Sequence, residues 1–450
     1  MTTSAADQLT ALLHEDNRYD IPYEELEALQ IAAINERFQS RREQIKLLGH
    51  RAAQAGIDAV TRLEEAVPLL FPHTVYKSYP ESLLMNQRWD KMAKWLDTTS
   101  TYRVPAPSGA SDQDIDSWLD ELAAQGFFVN CSSGTTGKSA MMVSSRSDLD
   151  WCLQEAVKAY CWGSGVAACN DRRIFGLAPV ALTPRNQTTG DAYYKALQSP
   201  DSEPFKYPVP PITVGNLTSM VVLRKRITDG TATPAELENY ERTSAARAQQ
   251  MEEAIVKAAD AIIESRADRL HVTGLWSGLY AVAKVVRERG YAAADFNPEN
   301  SIYVGGGLKR AQLPDDYREF VYQTFNILPQ RNYQNYSMQE LQSGMPRCQA
   351  GNRYHLPPWV VPLVLDQPGE QLLPRAAGEY EGRAAFFDLS LDGRWGGVIS
   401  GDRVSIDYRP CACGARSPSI ADSIVRYADL AGDDKIGCAG TVDAYVRGVS

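Results

Sequence analysis

Ser132-Ser133-Gly134-Thr135-Thr136-Gly137-Lys138-Ser139 is the stretch of the chain that decides its fold and its chemistry. Gly134 and Gly137 have no side chain, so the backbone N–H groups around them can approach a phosphate closely. Four hydroxyl side chains add hydrogen-bond donors: Ser132, Ser133, Thr135 and Thr136. Lys138 adds a cation, and residues 126–130 before the stretch predict a short strand. We therefore interpret residues 132–139 as a loop that binds a triphosphate.

One alternative is the P-loop of many nucleotide hydrolases, with the pattern G-x-x-x-x-G-K-[ST]. Gly137-Lys138-Ser139 fits the end of this pattern, but position 132 is serine where the pattern requires its first glycine. The P-loop alternative therefore fails at a fixed position. A plain Ser/Gly surface loop is the other alternative. We prefer phosphate binding because the donors are dense, follow a strand and end in a lysine.

Outward from this loop, strand-like and helix-like segments alternate along the chain. Apolar periodicity predicts helices within 23–66, at 145–160 with Ser147 as cap, and at 234–267, 276–289 and 314–325. It predicts strands at 173–180, 219–223, 271–274 and 301–304, and a surface loop region at 183–215. This succession is typical of an α/β fold with crossover connections. From about residue 353, short apolar stretches separated by Gly, Pro and Asp predict a smaller β-rich subdomain.

The composition limits the classes of function. The chain has 450 residues, 44% of them hydrophobic, which is enough for two to three domains or subdomains. The net charge of −10 disfavours a non-specific nucleic-acid binder, which needs a basic face. No apolar run reaches the ~20 residues that span a bilayer, and the N-terminus has no secretory pattern. We expect a soluble cytoplasmic protein whose eight cysteines are reduced thiols or metal ligands.

The loop at 132–139 resembles the phosphate-binding signature of the adenylate-forming superfamily, which includes acyl- and aryl-CoA synthetases, peptide-synthetase adenylation domains and luciferases. The order of the later motifs resembles its phenylacetate–CoA ligase branch and the related acyl-protein synthetases, over roughly residues 126–440. The resemblance implies the large N-terminal domain of such an enzyme, with mixed sheets flanked by helices and a smaller β-rich subdomain. It also implies ATP and Mg²⁺ as cofactors and a small-molecule carboxylic acid as substrate.

Residues 333–340 resemble the superfamily pattern Tyr-Gly-x-Thr-Glu. Tyr336 and Glu340 match that pattern, while Ser337 and Gln339 replace the glycine and the threonine. The resemblance implies that Tyr336 stacks on adenine and that Glu340 binds Mg²⁺ through its carboxylate. Gln339 would form hydrogen bonds near the substrate carboxylate or the α-phosphate. An ordinary loop is the alternative.

Two glycine-containing turns complete the nucleotide motifs. Gly305 and Gly306, in the turn at 304–307, are similar to the segment that lines the adenine and acyl sites, with a plain strand-to-helix turn as the alternative. The sequence at 400–402 resembles Thr-Gly-Asp. This implies that Asp402 accepts hydrogen bonds from both ribose hydroxyls, since a carboxylate has acceptor capacity to spare. Its position after Glu340 agrees with the order of the motifs in the superfamily.

A structural zinc site is a further expectation. Cys348, His355, Cys411 and Cys413 offer three thiolates and one imidazole, a set that suits tetrahedral Zn²⁺. The Cys-x-Cys-Gly turn and the earlier Cys…His pair resemble features of the phenylacetate–CoA ligase branch, some members of which bind zinc there. Free buried cysteines are the alternative. With all four ligands from protein, the metal would be structural and would hold the β-rich subdomain.

The end of the chain departs from the superfamily pattern. A full-length member carries, after a hinge, a C-terminal domain that brings a catalytic lysine and rotates for the second half-reaction. Residues 433–436 resemble the hinge, and Arg426 is the nearest counterpart of its arginine. We expect a helical part of the large domain at 1–125, an α/β adenylation core at 126–350, a β-rich subdomain at 351–425 and a hinge-like tail at 426–450. The C-terminal domain and its lysine are expected to be absent.

Three functions follow as expectations, in this order. The first is an adenylate-forming ligase of specialised metabolism, which activates a carboxylic acid, aryl by branch resemblance, to an acyl-adenylate. It releases pyrophosphate and transfers the acyl group to an amine, hydroxyl or thiol. The second is an acyl-protein synthetase that passes a fatty acyl group to a partner protein. The third is a non-catalytic nucleotide-binding scaffold, motivated by the missing lysine and the altered residues Ser337 and Gln339. None of the three involves nucleic acid or a membrane.

Overall fold

The computed structural model describes residues 3–108, 113–132, 138–306 and 312–431. Five residues of the predicted phosphate loop, Ser133, Gly134, Thr135, Thr136 and Gly137, lie outside the described residues, as does the hinge-like segment at 433–436. The helices are α1 (Ala5–Ala11), α2 (Tyr23–Arg41), α3 (Lys46–Ala55), α4 (Leu63–Ala66), α5 (Glu81–Met85), α6 (Trp89–Leu96), α7 (Ile115–Ala124), α8 (Arg146–Ser164), α9 (Pro184–Leu197), α10 (Val214–Thr228), α11 (Pro234–Glu264), α12 (Trp276–Glu288), α13 (Tyr317–Phe325) and α14 (Tyr427–Ala431).

The strands are β1 (Phe71–Pro72), β2 (Phe128–Cys131), β3 (Met141–Ser144), β4 (Arg173–Gly176), β5 (Leu270–Gly274), β6 (Asn300–Val304), β7 (Ile327–Tyr333), β8 (Asn335–Tyr336), β9 (Met345–Pro346), β10 (Arg353–His355), β11 (Val360–Leu365), β12 (Tyr380–Asp388), β13 (Gly397–Asp407), β14 (Ser419–Ala421) and β15 (Val425–Arg426). A short 3-10 helix at His73–Lys77 precedes α5. Helices and several sheets together confirm the predicted mixed α/β fold class.

A four-stranded parallel sheet, in the order β4-β5-β6-β7, forms the middle of the chain. Helices α9 to α13 connect its strands, as parallel pairing requires. One face packs on α11, α12 and α13 through buried side chains such as Ala258, Val282 and Val321. The carboxyl ends of β6 and β7 lead into the turn at Gly305 and into β8. In parallel sheets this edge is where ligands bind.

A larger, mostly antiparallel sheet follows in the second half of the chain, in the order β10-β14-β13-β12-β11. The N-terminal helices cover it, so that Ile34 and Phe38 of α2 share one buried core with Phe387 and Trp395. Strand β1 pairs in parallel with β13, which places the segment after β1 beside this sheet. Strand β13 also carries Asp402, opposite Arg426 of β15.

Three local expectations were wrong. The segment at 219–223 lies in helix α10, not in a strand, and the start of the expected surface loop at 183–215 is helix α9. Thr213 caps α10 by accepting a hydrogen bond from the N–H of Asn216, and Pro184 opens α9, where proline is favoured because its missing N–H has no partner in the helix. Helix α8 is capped by Ser145, not by Ser147. In the described ranges no helix has the length and hydropathy needed to cross a membrane.

Candidate nucleotide and metal sites

The two ends of the predicted phosphate loop are held by a hairpin. Strands β2 and β3 pair antiparallel, with Cys131 opposite Met141. Above this pair, the Ser132 N–H donates to the Ala140 carbonyl at 3.0 Å, and the Ser132 Oγ accepts from the Ala140 N–H at 2.8 Å. The side-chain oxygen of Ser132 thus closes the base of the loop, while its O–H proton remains able to donate. Ser132 and Ala140 are therefore held together at the end of the hairpin.

Lys138 is held at the end of the loop by Tyr79. Its Nζ donates to the Tyr79 carbonyl at 2.6 Å and lies 5.3 Å from the centroid of the Tyr79 ring. The Tyr79 hydroxyl in turn donates to the Ser139 carbonyl at 2.7 Å. Tyr79 therefore fixes both the lysine and the backbone next to it, although it lies 59 residues before Lys138. No pattern in the sequence around Tyr79 indicated this role.

The segment that carries Tyr79 also approaches Glu340. Burial lowers the pKa of the half-buried Lys77, while the nearby carboxyl of Glu340 raises it and the charge of Arg426 lowers it. Burial raises the pKa of Tyr76 to about 12, where Arg394 and Glu340 both act on the phenol. Residues 76–79 thus extend from Tyr79, which contacts the end of the predicted phosphate loop, to the surroundings of Glu340. Sequence reasoning missed this segment.

Glu340 and Gln339 lie in positively charged surroundings. Glu340 is only 8% exposed. Burial raises the pKa of its carboxyl, and the charges of Lys77, Arg394 and Arg185 oppose that shift. The side-chain oxygen of Gln339 is buried and has no hydrogen-bond partner among the described residues. A buried carboxylate next to an unpartnered amide oxygen offers hard oxygen ligands to a divalent cation.

Tyr336 and Asp402 are brought together by the structure. The Tyr336 hydroxyl donates to Asp402 Oδ2 at 2.7 Å, although the two residues are 66 positions apart. The ring of Tyr336 also lies 5.9 Å from that of Phe386 and 6.1 Å from that of Tyr354. Arg426 Nε lies 3.8 Å from Asp402 Oδ1. The motif residues Tyr336 and Asp402 therefore form one group with Arg426.

Gly305 and Gly306 follow β6 directly. The Gly305 N–H donates to the Gly274 carbonyl at 3.0 Å, which extends the pairing of β6 with β5. Gly306 has a φ of 89°, a conformation that a side chain disfavours. In the described part of the chain these contacts tie the turn to the neighbouring strand and not to the pair of Tyr336 and Asp402.

Cys348, His355, Cys411 and Cys413 form one cluster, in which the four ligand atoms lie within 4.8 Å of one another. Cys348 Sγ and Cys411 Sγ are 3.7 Å apart, and Cys413 Sγ is 3.4 Å from His355 Nε2. Ideal tetrahedral zinc would place two thiolates roughly 3.8 Å apart and a thiolate and an imidazole nitrogen roughly 3.5 Å apart, given its usual bond lengths. The two distances given agree with that geometry.

The surroundings of the cluster also suit a metal. His355 Nδ1 lies 3.1 Å from Ser417 Oγ, which leaves Nε2 directed at the thiols. A side chain at Gly351 would collide with the Cys411 sulfur. The backbone N–H groups of Arg416 and Ser417 donate to the Tyr19 carbonyl, so the cluster adjoins the segment between α1 and α2. These contacts connect two parts of the chain that are far apart in sequence.

A buried carboxyl near the site makes stability depend on pH. Burial raises the pKa of Glu155 to about 8, against the opposing hydrogen bond from the Gly344 N–H and the charge of Arg185. Folded protein therefore keeps this proton at pH values where the unfolded chain releases it. The stabilisation is complete below the unfolded pKa of about 4.5 and is lost as pH rises through about 8.

We expect Glu155→Gln to remove this dependence. The glutamine resembles the protonated carboxyl and keeps an oxygen for Gly344. Denaturant titration would give the free energy of unfolding of the variant and of the native chain at each pH. The variant's value minus the native value should be about 2 kcal/mol larger at about pH 7 than at about pH 5. Glu238→Gln, on the exposed surface of α11, is the matched control. An equal difference at both pH values would show that Glu155 is ionised in the folded protein.

Comparison with known proteins identifies the fold. The chain matches no protein-family model and no curated protein. A structure of 2-hydroxyisobutyryl-CoA ligase in the postadenylation state with R3-HIB-AMP gives a TM-score of 0.53 at 14% identity, over 92% of this chain and 72% of that chain. The same ligase in the thioesterification state, with 2-HIB-AMP and CoA, gives 0.54 at 14% identity, over 91% and 70%. The fold expected from the sequence is therefore confirmed, because this chain shares the architecture of 2-hydroxyisobutyryl-CoA ligase.

Proposed function

We propose that this chain is an adenylate-forming ligase, which activates a carboxylic acid with ATP and passes the acyl group to an acceptor nucleophile. The observation that carries the proposal is the convergence around residues 76–79. Lys138, at the end of the predicted phosphate loop, is bound to Tyr79, and the charges of both Glu340 and Arg426 act on Lys77. The predicted phosphate-binding lysine, the predicted metal-binding carboxylate and Arg426, which lies 3.8 Å from the predicted ribose-binding Asp402, thus lie around one segment. The shared fold supports the same conclusion.

In the proposed reaction, a carboxylate oxygen of the acid attacks the α-phosphorus of ATP. A bond forms between that oxygen and phosphorus, the bond to the β-phosphate oxygen breaks, and pyrophosphate leaves. Tyr336 would pack on the adenine ring, and Asp402 would accept hydrogen bonds from the ribose hydroxyls. Lys138 would neutralise charge on the phosphates. Glu340 and the Gln339 oxygen would hold Mg²⁺, which offsets charge on the departing pyrophosphate.

We propose an aryl acid as the substrate, in keeping with the phenylacetate–CoA ligase branch. Four tyrosine rings cluster near the carboxyl ends of β6 and β7: Tyr160, Tyr193, Tyr303 and Tyr333. Tyr303 is half-buried and directly precedes Val304 and Gly305. The other three rings are buried, so the half-buried ring of Tyr303 is the one that would meet a planar substrate. The acceptor would be an amine, a hydroxyl or a thiol.

Pyrophosphate exchange into ATP, tested with a panel of aryl and long-chain aliphatic acids, examines this proposal. We expect exchange that depends on an aryl acid. A preference for long aliphatic acids would instead indicate acyl-protein synthetase activity. ATP binding by calorimetry, with no exchange for any acid, would contradict the proposal and indicate a nucleotide-binding scaffold.

We also propose that a structural zinc ion is held by Cys348, His355, Cys411 and Cys413. The close spacing of their ligand atoms supports this proposal, as does the contact of Ser417 with the second ring nitrogen of His355. Zinc would tie β10 to the turn at 411–413. That turn leads to Arg416, whose Nε donates to Asp20 Oδ1 at 2.7 Å. The metal would therefore stabilise the contact with the N-terminal segment as well as the large sheet.

Protein purified without chelator should contain about one zinc per chain by elemental analysis. Cys411→Ser should remove the metal and lower Tm by on the order of 5 °C or more, because the free energy of binding a structural metal contributes to the free energy of folding. Cys169→Ser, at an exposed thiol, is the matched control and should change neither quantity. Far less than one zinc in both the native chain and the control would refute the zinc proposal.

A further inference from the structure

The segment that carries Gln339 and Glu340 is held through its carbonyl groups. Arg185 Nη1 donates to the Met338 carbonyl at 2.9 Å and to the Leu341 carbonyl at 2.6 Å. Arg185 Nη2 lies 3.3 Å from the Gln342 carbonyl as a third acceptor. A single guanidinium thus binds three carbonyls on both sides of Glu340. This fixes the backbone from which the Glu340 carboxyl projects.

The backbone of Arg185 is bound to the hairpin of β2 and β3, which flanks the predicted phosphate loop. The backbone N–H of Arg185 donates to Asn130 Oδ1 at 2.8 Å, and Asn130 Nδ2 donates to Ser144 Oγ at 2.9 Å. Asn130 and Ser144 belong to β2 and β3, the strands that frame the loop, and both are buried. Arg185 therefore connects the hairpin under the loop with the segment at 338–342.

The geometry requires arginine. A planar guanidinium presents several N–H groups in a fixed fork, whereas a lysine ammonium is a point charge on a flexible stem. One ammonium cannot reproduce the three directed bonds to the carbonyls of 338, 341 and 342. The charge of Arg185 also acts on the buried Glu340 carboxyl. Arg185 thus supplies both directed hydrogen bonds and positive charge next to Glu340.

We propose that Arg185 is a positioning residue for adenylation: it sets the Glu340 carboxylate relative to the hairpin of β2 and β3 and so determines how strongly the site holds Mg²⁺ with ATP. The inference depends on the proposed function, in which Glu340 binds that cation. It adds a residue that lies outside the motifs at 132–139, 333–340 and 400–402. Loss of a partner that orients a metal ligand typically weakens metal affinity 10–100-fold.

The test measures the affinity for ATP by calorimetry with and without Mg²⁺, a measurement that needs no turnover. Arg185→Met should reduce the Mg²⁺-dependent gain in ATP affinity about 10-fold, with AMP affinity unchanged within about 2-fold. Arg185→Lys should recover only part of the loss, because it restores charge but not the fork. Arg247→Met, on the exposed part of α11, is the matched control.

A double-mutant cycle separates positioning from general damage. In a Glu340→Gln background, Arg185→Met should change ATP affinity by less than about 2-fold, because the group that it positions is gone. An equal loss in both backgrounds, or full recovery by Arg185→Lys, would overturn the inference. If Arg185→Met does not fold, the ATP affinity of Arg185→Lys is compared in the native and Glu340→Gln backgrounds, and the same criterion applies. Absence of acid-dependent exchange in the native chain would count against the proposed function alone, since the Mg²⁺ effect is measured in binding.

Discussion

Glu340→Gln is expected to lower acid-dependent pyrophosphate exchange by about 10³-fold. The carboxyl is buried, and burial raises its pKa while three neighbouring cations oppose that shift. A buried negative charge is costly unless a cation compensates it, so the position is suited to a bound metal. Glutamine keeps the shape of the side chain and removes the charge. The variant should therefore fold normally and lose the capacity to hold Mg²⁺ with ATP.

Two measurements make this prediction specific. The concentration of Mg²⁺ at half-maximal exchange should rise in Glu340→Gln, whereas the affinity for AMP should stay close to that of the native chain. Glu238→Gln removes an exposed carboxylate of α11 and should have no effect on either. Exchange within 10-fold of the native chain, at the same Mg²⁺ concentration, would exclude Glu340 from the metal site.

Lys138→Met is expected to lower exchange by about 10²- to 10³-fold, as the loss of a preorganised charge in an active site typically does. Tyr79 holds the ammonium through its carbonyl and its ring, so the charge is placed before ATP arrives. Methionine keeps an unbranched apolar chain beside the Tyr79 ring and lacks the charge. The loss should appear in both ATP affinity and the maximal exchange rate.

The matched control for Lys138→Met is Lys257→Met, at an exposed position on α11. Tyr79→Phe, a second control, keeps the carbonyl that binds Lys138 and removes only the hydroxyl bond to Ser139. Its exchange should fall less than that of Lys138→Met. If Lys138→Met and Lys257→Met exchanged equally fast, the loop at 132–139 would not bind the triphosphate through its lysine.

The helices with long apolar periods were predictable from the sequence, because their patterns span several turns. The helix at 234–267 and the helix at 276–289 were found with nearly their observed bounds. The run at 219–223 misled because a short apolar, β-branched stretch fits a strand or a helix equally well. Its capping residue Thr213 and the basic last turn of α10 were the signals that favoured a helix.

Each motif residue lies within a short pattern that the sequence shows, whereas the partners of these residues in the structure belong to no such pattern. Tyr79 meets Lys138, and Arg185 meets the segment at 338–342, across separations of 59 and more than 150 residues. Single-sequence patterns contain no information on such pairs. Trp276 illustrates the same limit: its position at the start of α12 fits a residue that faces a ligand or one that faces the core, and the structure buries it against Tyr317.

The central claim is that an acyl-adenylate forms, and isotope transfer tests it most directly. The acid that supports exchange is labelled with ¹⁸O in its carboxyl group and incubated with ATP and an acceptor amine, and the nucleotide products are examined by mass spectrometry. Attack of the carboxylate on the α-phosphorus, followed by acyl transfer, leaves one carboxyl oxygen on the phosphate. We therefore expect AMP that carries one ¹⁸O. Label in inorganic phosphate together with ADP, or unlabelled AMP, would contradict the account.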